Sequence, residues 1–195
     1  MLEQRPPLPV TGDDSELRCY ANALLDSVIA RQALASHLAA RTQVDLDWLS
    51  RHYPGPREHL ASEVALALGV AEATADKYLD DAASIRRLPV TFAALDAGRI
   101  TPFKAAVIRM HTEHVSEEVA QKVELRVVPA AGQQTMPELR EACTSAVLRI
   151  DPAGAADRHE KAVAGRGMSR RHLAEGMALL FIESAAQDIA VVFDA

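Results

Sequence analysis

The amino-acid sequence predicts an all-α fold with a minor β element near residues 168–183, on three observations. Alanine supplies 36 of the 195 residues, gathered in runs of good helix formers. Aromatic residues make up only 4%, and β-branched residues are sparse, so little favours extended sheets. Caps, prolines and glycines recur at intervals that cut the chain into pieces of helical length. With 49% hydrophobic and 25% charged residues, the chain has the composition of a globular protein and the length to bury a core without staples.

Taken in order, residues 1–12 are proline-rich and read as an extended tail, and 13–195 as one helical domain. Asp13, Asp14, Ser15 and Glu16 offer caps and first-turn acids for a helix to about Arg41. Leu17, Leu24, Val28, Ala35 and Leu38 recur along it at helical spacing. A separate short helix from Leu46 to His52 carries the only Trp, before Tyr53-Pro-Gly-Pro56 breaks the chain. Helices are then expected over 60–68, ending at Gly69, over 72–87, ending at Leu88-Pro89, and over 91–97, ending at Gly98. Thr101-Pro102 opens a helix to about His114, and Ser116-Glu117-Glu118 opens one to Val128. Thr135 and Glu138 form a capping box for a helix to Ile150, and Asp151-Pro152 starts another. After Gly165 and Gly167, the run from Gly176 to Glu183 reads as a strand. Ser184 and Gln187 then cap a final helix with Ile189, Val192 and Phe193 on its apolar face.

The segment from Ala61 to Leu79 has helix-turn-helix spacing. Small Ala65 precedes Gly69 by four residues, Val70 fills the angle, and Ala75, Tyr78 and Leu79 are expected to face inward. Its second helix carries Glu72, Asp76, Asp80 and Asp81 against Lys77, a net −3. A face of that sign repels phosphates, which favours a packing corner over one that reads DNA. The whole chain carries −6, yet 85–109 and 158–172 each carry +4. Brought together, these two segments would form a phosphate-binding stripe. Alternatively, Arg86 and Arg87 complement a helix C-terminus and the other cations snorkel.

Other chemistry is thin. His111 and His114 lie one helical turn apart, a chelating spacing, but no third ligand has compatible spacing. Cys19 and Cys143 are 124 positions apart with no C-x-x-C motif, and Cys143 shares a core stripe with Leu139, Ala146, Val147 and Ile150. There is no nucleophile elbow, Gly-rich phosphate loop or paired-carboxylate signature. The longest apolar run is 177–182, far below the ~20 residues of a membrane span, and the N-terminus lacks a signal-peptide core. The expectation is a reduced, cytoplasmic protein with no cofactor, no metal and no membrane partner.

The run Leu88-Pro-Val-Thr-Phe-Ala-Ala-Leu-Asp-Ala-Gly-Arg-Ile-Thr-Pro-Phe-Lys-Ala-Ala-Val-Ile108 resembles the signature of domain-of-unknown-function family 222, the 13E12-type repeat family. So do 63–68 before it, and 151–158 and 176–180 after it, in the expected order. The resemblance implies a bacterial, mainly helical protein of repeated or mobile elements, whose domain commonly precedes an HNH endonuclease module. It implies no reaction for these positions. No His-centred ββα-metal segment or zinc-binding Cys pair is present, so the chain reads as the N-terminal domain of a longer architecture or a truncated copy.

Two functional expectations follow. In the first, the domain is non-catalytic and assists nucleic-acid binding through Arg86, Arg87, Arg99, Lys104, Arg166, Arg170 and Arg171. In the second, it is a structural or protein-interaction module that self-associates through its terminal helices. A nonfunctional remnant, and an enzyme built on His111 and His114, are the remaining alternatives.

Overall fold

The computed structural model describes residues 14–184 together with 188, 189 and 191. Among them are eight α-helices and one two-stranded sheet, as the composition predicts. The helices are α1 (Asp14–His52), α2 (Arg57–Leu68), α3 (Glu72–Ala83), α4 (Pro89–Asp96), α5 (Pro102–Thr112), α6 (Glu117–Ala131), α7 (Met136–Ile150) and α8 (Pro152–Ala164). The strands are β1 (Gly167–His172) and β2 (Ala178–Glu183). The chain divides into two compact units, residues 1–146 and 147–195. The expected tail falls outside the described residues, as do Gln187, Val192 and Phe193 of the final capped helix.

Several helix boundaries differ from expectation: α2 begins at Arg57 and α4 at Pro89, three and two residues early, and three larger differences have physical causes. The helices expected over 13–41 and 46–52 are one, the 39-residue α1. No Gly or Pro interrupts 41–46, the Thr42 hydroxyl donates back to the Leu38 carbonyl, and Leu46 and Asp47 are buried against the following helices. The helix expected to reach Arg87 stops at Ala83 and tightens into a 3₁₀ turn over Ser84–Arg86. The helix expected to stop at Val128 continues through Pro129 to Ala131. The donor that Pro129 lacks would have met the carbonyl of Leu125, whose side chain is exposed.

In the first unit, α1, α2 and α3 close around Leu46, Leu60, Ala61, Val64, Ala65, Ala75, Leu79 and Ala82, with Val70 packed against them. This is the predicted corner. Gly69 adopts φ 65°, and Val70 N–H donates to Ala65 O at 3.0 Å, closing α2 with a backbone turn that suits glycine. Ala75 and Leu79 face inward as expected. Tyr78, on the same face one step before Leu79, stays 40% exposed at its edge.

The other half of the unit is organised around short α4, which packs against α1, α5 and α6. Its C-terminus follows the expected pattern: Gly98 has φ 69°, Gly98 N–H donates to Leu95 O, and Arg99 N–H to Ala94 O. A Cβ at Gly98 would lie 2.8 Å from the Cα of Ala33, so glycine is also what lets this turn meet α1. Its N-terminus has apolar Leu88 at the cap position and Pro89 inside the first turn, so no local side chain serves the first free amides. Glu124 serves one of them from α6. Its Oε2 accepts from Thr91 N–H at 2.8 Å and from Thr91 Oγ1 at 2.9 Å, and the residue is 0% exposed. A carboxylate at the positive end of a helix is favourable, and burial makes its hydrogen bonds essential.

In the second unit, β1 and β2 pair antiparallel with Met168 opposite Ile182, Arg170 opposite Leu180 and His172 opposite Ala178. The strand predicted over 176–183 is therefore one arm of a hairpin.

Replacing Glu124 with Ala leaves the Thr91 amide and hydroxyl unpaired in the core and opens a void. We expect a loss of about 2–4 kcal/mol in urea unfolding, and a smaller loss for Glu124→Gln, which keeps an acceptor oxygen. An alanine variant with the unfolding midpoint of the parent protein would contradict this reading of the fold.

Candidate functional site

The structure uses most of the first basic segment to bind the fold together. Arg87 Nη2 donates to Val115 O at 2.6 Å and to Thr112 O at 3.4 Å, and Nη1 to Glu113 O at 3.4 Å. It thereby closes the C-terminal end of α5, where carbonyls lack helical partners. Lys104 does the same for α6, with Nζ 2.8 Å from Ala131 O and 2.9 Å from Gly132 O. Arg86 Nε lies 3.4 Å from Asp47 Oδ1, and Arg51 holds the other oxygen of this buried carboxylate at 3.0 Å. Arg109 pairs with Asp81 at 2.9 Å. Arg99 is exposed.

Acids of the corner have an equally structural use. Arg57, from α2, reaches Asp80 at 2.6 Å and Asp76 at 3.4 Å on α3, and the Ser62 hydroxyl donates to Glu72. Exposed pairs of this kind add little stability, but they set which faces meet. Tyr53 donates to Glu63 at 2.7 Å, and this bond to the carboxylate raises the phenol's pKa above its usual value.

In the second unit, Asp151 caps α8. Its Oδ2 accepts from Arg158 at 2.8 Å and its Oδ1 from Gly154 N–H at 3.0 Å, and these bonds hold its carboxyl below the usual range. Arg166 lies 3.9 Å from Asp188. Every residue of β1 is exposed, including Arg170 and Arg171, and the Arg171 guanidinium stands 5.6 Å from the centre of the Phe181 ring. The seven predicted cations thus fall in two groups, Arg86, Arg87, Arg99 and Lys104 in one unit and Arg166, Arg170 and Arg171 in the other.

His111 turns back on its own helix, with Nδ1 2.8 Å from Val107 O. Among the described residues, no group of three or more His, Cys, Asp or Glu is arranged to hold a metal ion. Cys143 is buried and its thiol is pushed up to about 11 by desolvation, whereas Cys19 is exposed. No helix among the described residues is long and apolar enough to cross a membrane.

One further surface stands out. On α1, none of residues 14–32 is buried. Leu17 and Val28 are 47% and 58% exposed, with Ala21 and half-buried Leu24 between them at steps of four and three residues. The predicted apolar stripe exists, but the side of α1 that packs inward is a different one, carrying Ser36, Ala40 and Asp47.

The family model described as Domain of unknown function (DUF222) matches residues 25–195. The chain belongs to the DUF222 family. No curated protein and no solved structure matches it. The DUF222 match begins inside α1 and covers every later element, including both basic segments and the hairpin. Membership brings no reaction with it, because the family's function is unknown.

Three side chains of this DUF222 domain were missed by the sequence reading: Glu124, Asp47 and His37. Glu124 carried a signal, standing within the stripe Ala120, Val123, Val127 and Ala131 where an apolar residue belongs. His37 donates from Nδ1 to the Asp96 carbonyl at 2.9 Å and lies 3.0 Å from its carboxylate. Nothing in the sequence near either residue marks that pairing.

Proposed function

We propose that this DUF222 domain is a non-catalytic assembly module that pairs with a second copy of itself through the N-terminal half of α1. The supporting observation is the exposed stripe Leu17, Ala21, Leu24 and Val28 on a stretch with no buried residue. Helices with such a stripe bury it by packing on another helix. Charge selects the partner and the direction. Asp14 and Arg31 continue the stripe at its two ends, three residues outside Leu17 and Val28 respectively. In an antiparallel pair, Leu17 meets Val28 of the second copy, Ala21 meets Leu24, and Asp14 meets Arg31 at both ends. A two-fold pairing of this kind is self-complementary, the commonest form of protein oligomer.

The reading extends to the setting implied by the signature run at 88–108: a bacterial, cytoplasmic protein of repeated or mobile elements, associated with HNH nuclease modules. Two free cysteines suit a reducing compartment. Pairing two domains would present two such modules to one nucleic acid.

A second reading, accessory nucleic-acid contact, is favoured by the hairpin. Arg170 and Arg171 are exposed on β1, and Phe181 offers a ring on which a base stacks. In the first segment Arg86 and Arg99 are exposed. Arg86, Arg87 and Lys104 each have an intramolecular anion or carbonyl, which makes them poorer phosphate ligands.

In sedimentation equilibrium we expect a monomer–dimer equilibrium. Arg31→Glu should weaken it at least tenfold, and Asp14→Arg combined with Arg31→Glu should restore it. A monomer at all concentrations, or a double variant no better than the single, would refute the pairing. Contact through the hairpin predicts low-salt duplex or single-strand binding that Arg170→Ala with Arg171→Ala weakens, lowering the salt-dependence slope by about 2. Binding unaffected by that change would remove this second reading.

A further inference from the structure

Part of the signature run at 88–108 neither pairs copies nor carries exposed charge: it lines a cavity. Between α1, α3, α4 and α5 lies a space of about 590 Å³, entirely within the first unit. Its apolar walls are Leu46 from α1, Leu88 just before α4, Phe92 and Leu95 from α4, and Ala106 from α5. Phe103, 77% exposed, and exposed Leu68 and Tyr78 also border it. The polar lining is Thr42, Gln43, Ser84 and Thr91, together with one ion pair. Asp81 and Arg109 meet on one side of the space at 2.9 Å, both side chains mostly shielded from water.

We propose that this cavity is a binding site for a small, neutral, mainly apolar molecule with one hydrogen-bonding end. Size selects a small molecule, because sites for drug-sized ligands occupy roughly 300–1,000 Å³ and have apolar walls with a few fixed polar groups. Charge selects neutrality. Arg109 and Asp81 cancel one another, so a carboxylate entering near the pair would face Asp81 and an ammonium would face Arg109. An uncharged hydroxyl or amide accepts from the guanidinium or donates to the carboxylate without breaking their bond, and its chain covers the apolar wall. Large side chains at the border supply the rest of the contact: Phe103 and Leu68 are apolar surface that a bound molecule would shield from water.

The test uses the whole chain and three probes of equal length: octan-1-ol, octanoate and octylammonium. Methyl NMR follows Leu46, Leu88 and Leu95 during each titration, with Leu139, outside the lining, as the control. We expect saturable shifts at the three lining leucines, none at Leu139, and at least tenfold tighter binding of the alcohol than of either ion. Ala106→Trp fills the space and should abolish the shifts; Ala39→Phe, on the α1 wall, is the second variant should the first fail to fold. No saturable shift up to the alcohol's solubility overturns the site. Equal affinity for the three probes overturns its neutral selectivity, and undiminished binding to a folded, filled variant overturns its location.

Discussion

A single buried carboxylate determines how the first unit holds together. Glu124 reaches from α6 to the start of α4 and accepts two hydrogen bonds from Thr91, where Leu88 and Pro89 leave the helix without a cap of its own. Eight residues make a poor helix in isolation. Once its N-terminus is closed, α4 can serve as the element on which α1, α5 and α6 pack. The opposite end is fastened by its glycine turn, by the approach of Ala33, and by His37 on the Asp96 carbonyl. Cations then close the two neighbouring helices, Arg87 at the end of α5 and Lys104 at the end of α6. Helix ends, more than helix faces, are where this unit places its polar chemistry.

Much of that was legible locally, because caps and turns act over four or five residues. Gly69, Gly98, Thr101, Ser116 and Asp151 all do what their positions imply. The Thr135 and Glu138 box also forms, although both bonds run to the Glu138 carboxylate and lower its pKa. What was not legible depends on tertiary partners. The continuity of α1 past Arg41 is secured by burial of Leu46 and Asp47 against later helices, and no local signal competes with it. The helical spacing of Leu17, Leu24, Val28 and Leu38 does not say which side of α1 packs inward; small Ser36 and Ala40 permit the close crossing there. The carbonyls that Arg87 and Lys104 cap lie 25–28 positions further along the chain.

Function follows from what remains after these internal commitments. The first basic segment supplies two helix caps and two ion pairs and leaves Arg99 exposed, so clusters of like charge in a sequence are a poor guide to free charge on a surface. Uncommitted features are apolar: a stripe on α1 with opposite charges at its ends, and a cavity beside α4 with a neutralised ion pair. The hairpin adds exposed arginines in the second unit. These features are what the proposed pairing of copies, the proposed small-molecule site and the second, nucleic-acid reading each rest on.

The central claim is that closing the N-terminus of α4 through Glu124 is integral to the folded core and not a local embellishment. Native-state hydrogen exchange at the Thr91 amide addresses it directly. If the account is right, this amide exchanges only through global unfolding, its protection free energy matching that of the most protected amides of α6. Exchange of Thr91 at a markedly lower free energy, with α6 still fully protected, would show that α4 opens on its own and that Glu124 does not hold the unit together.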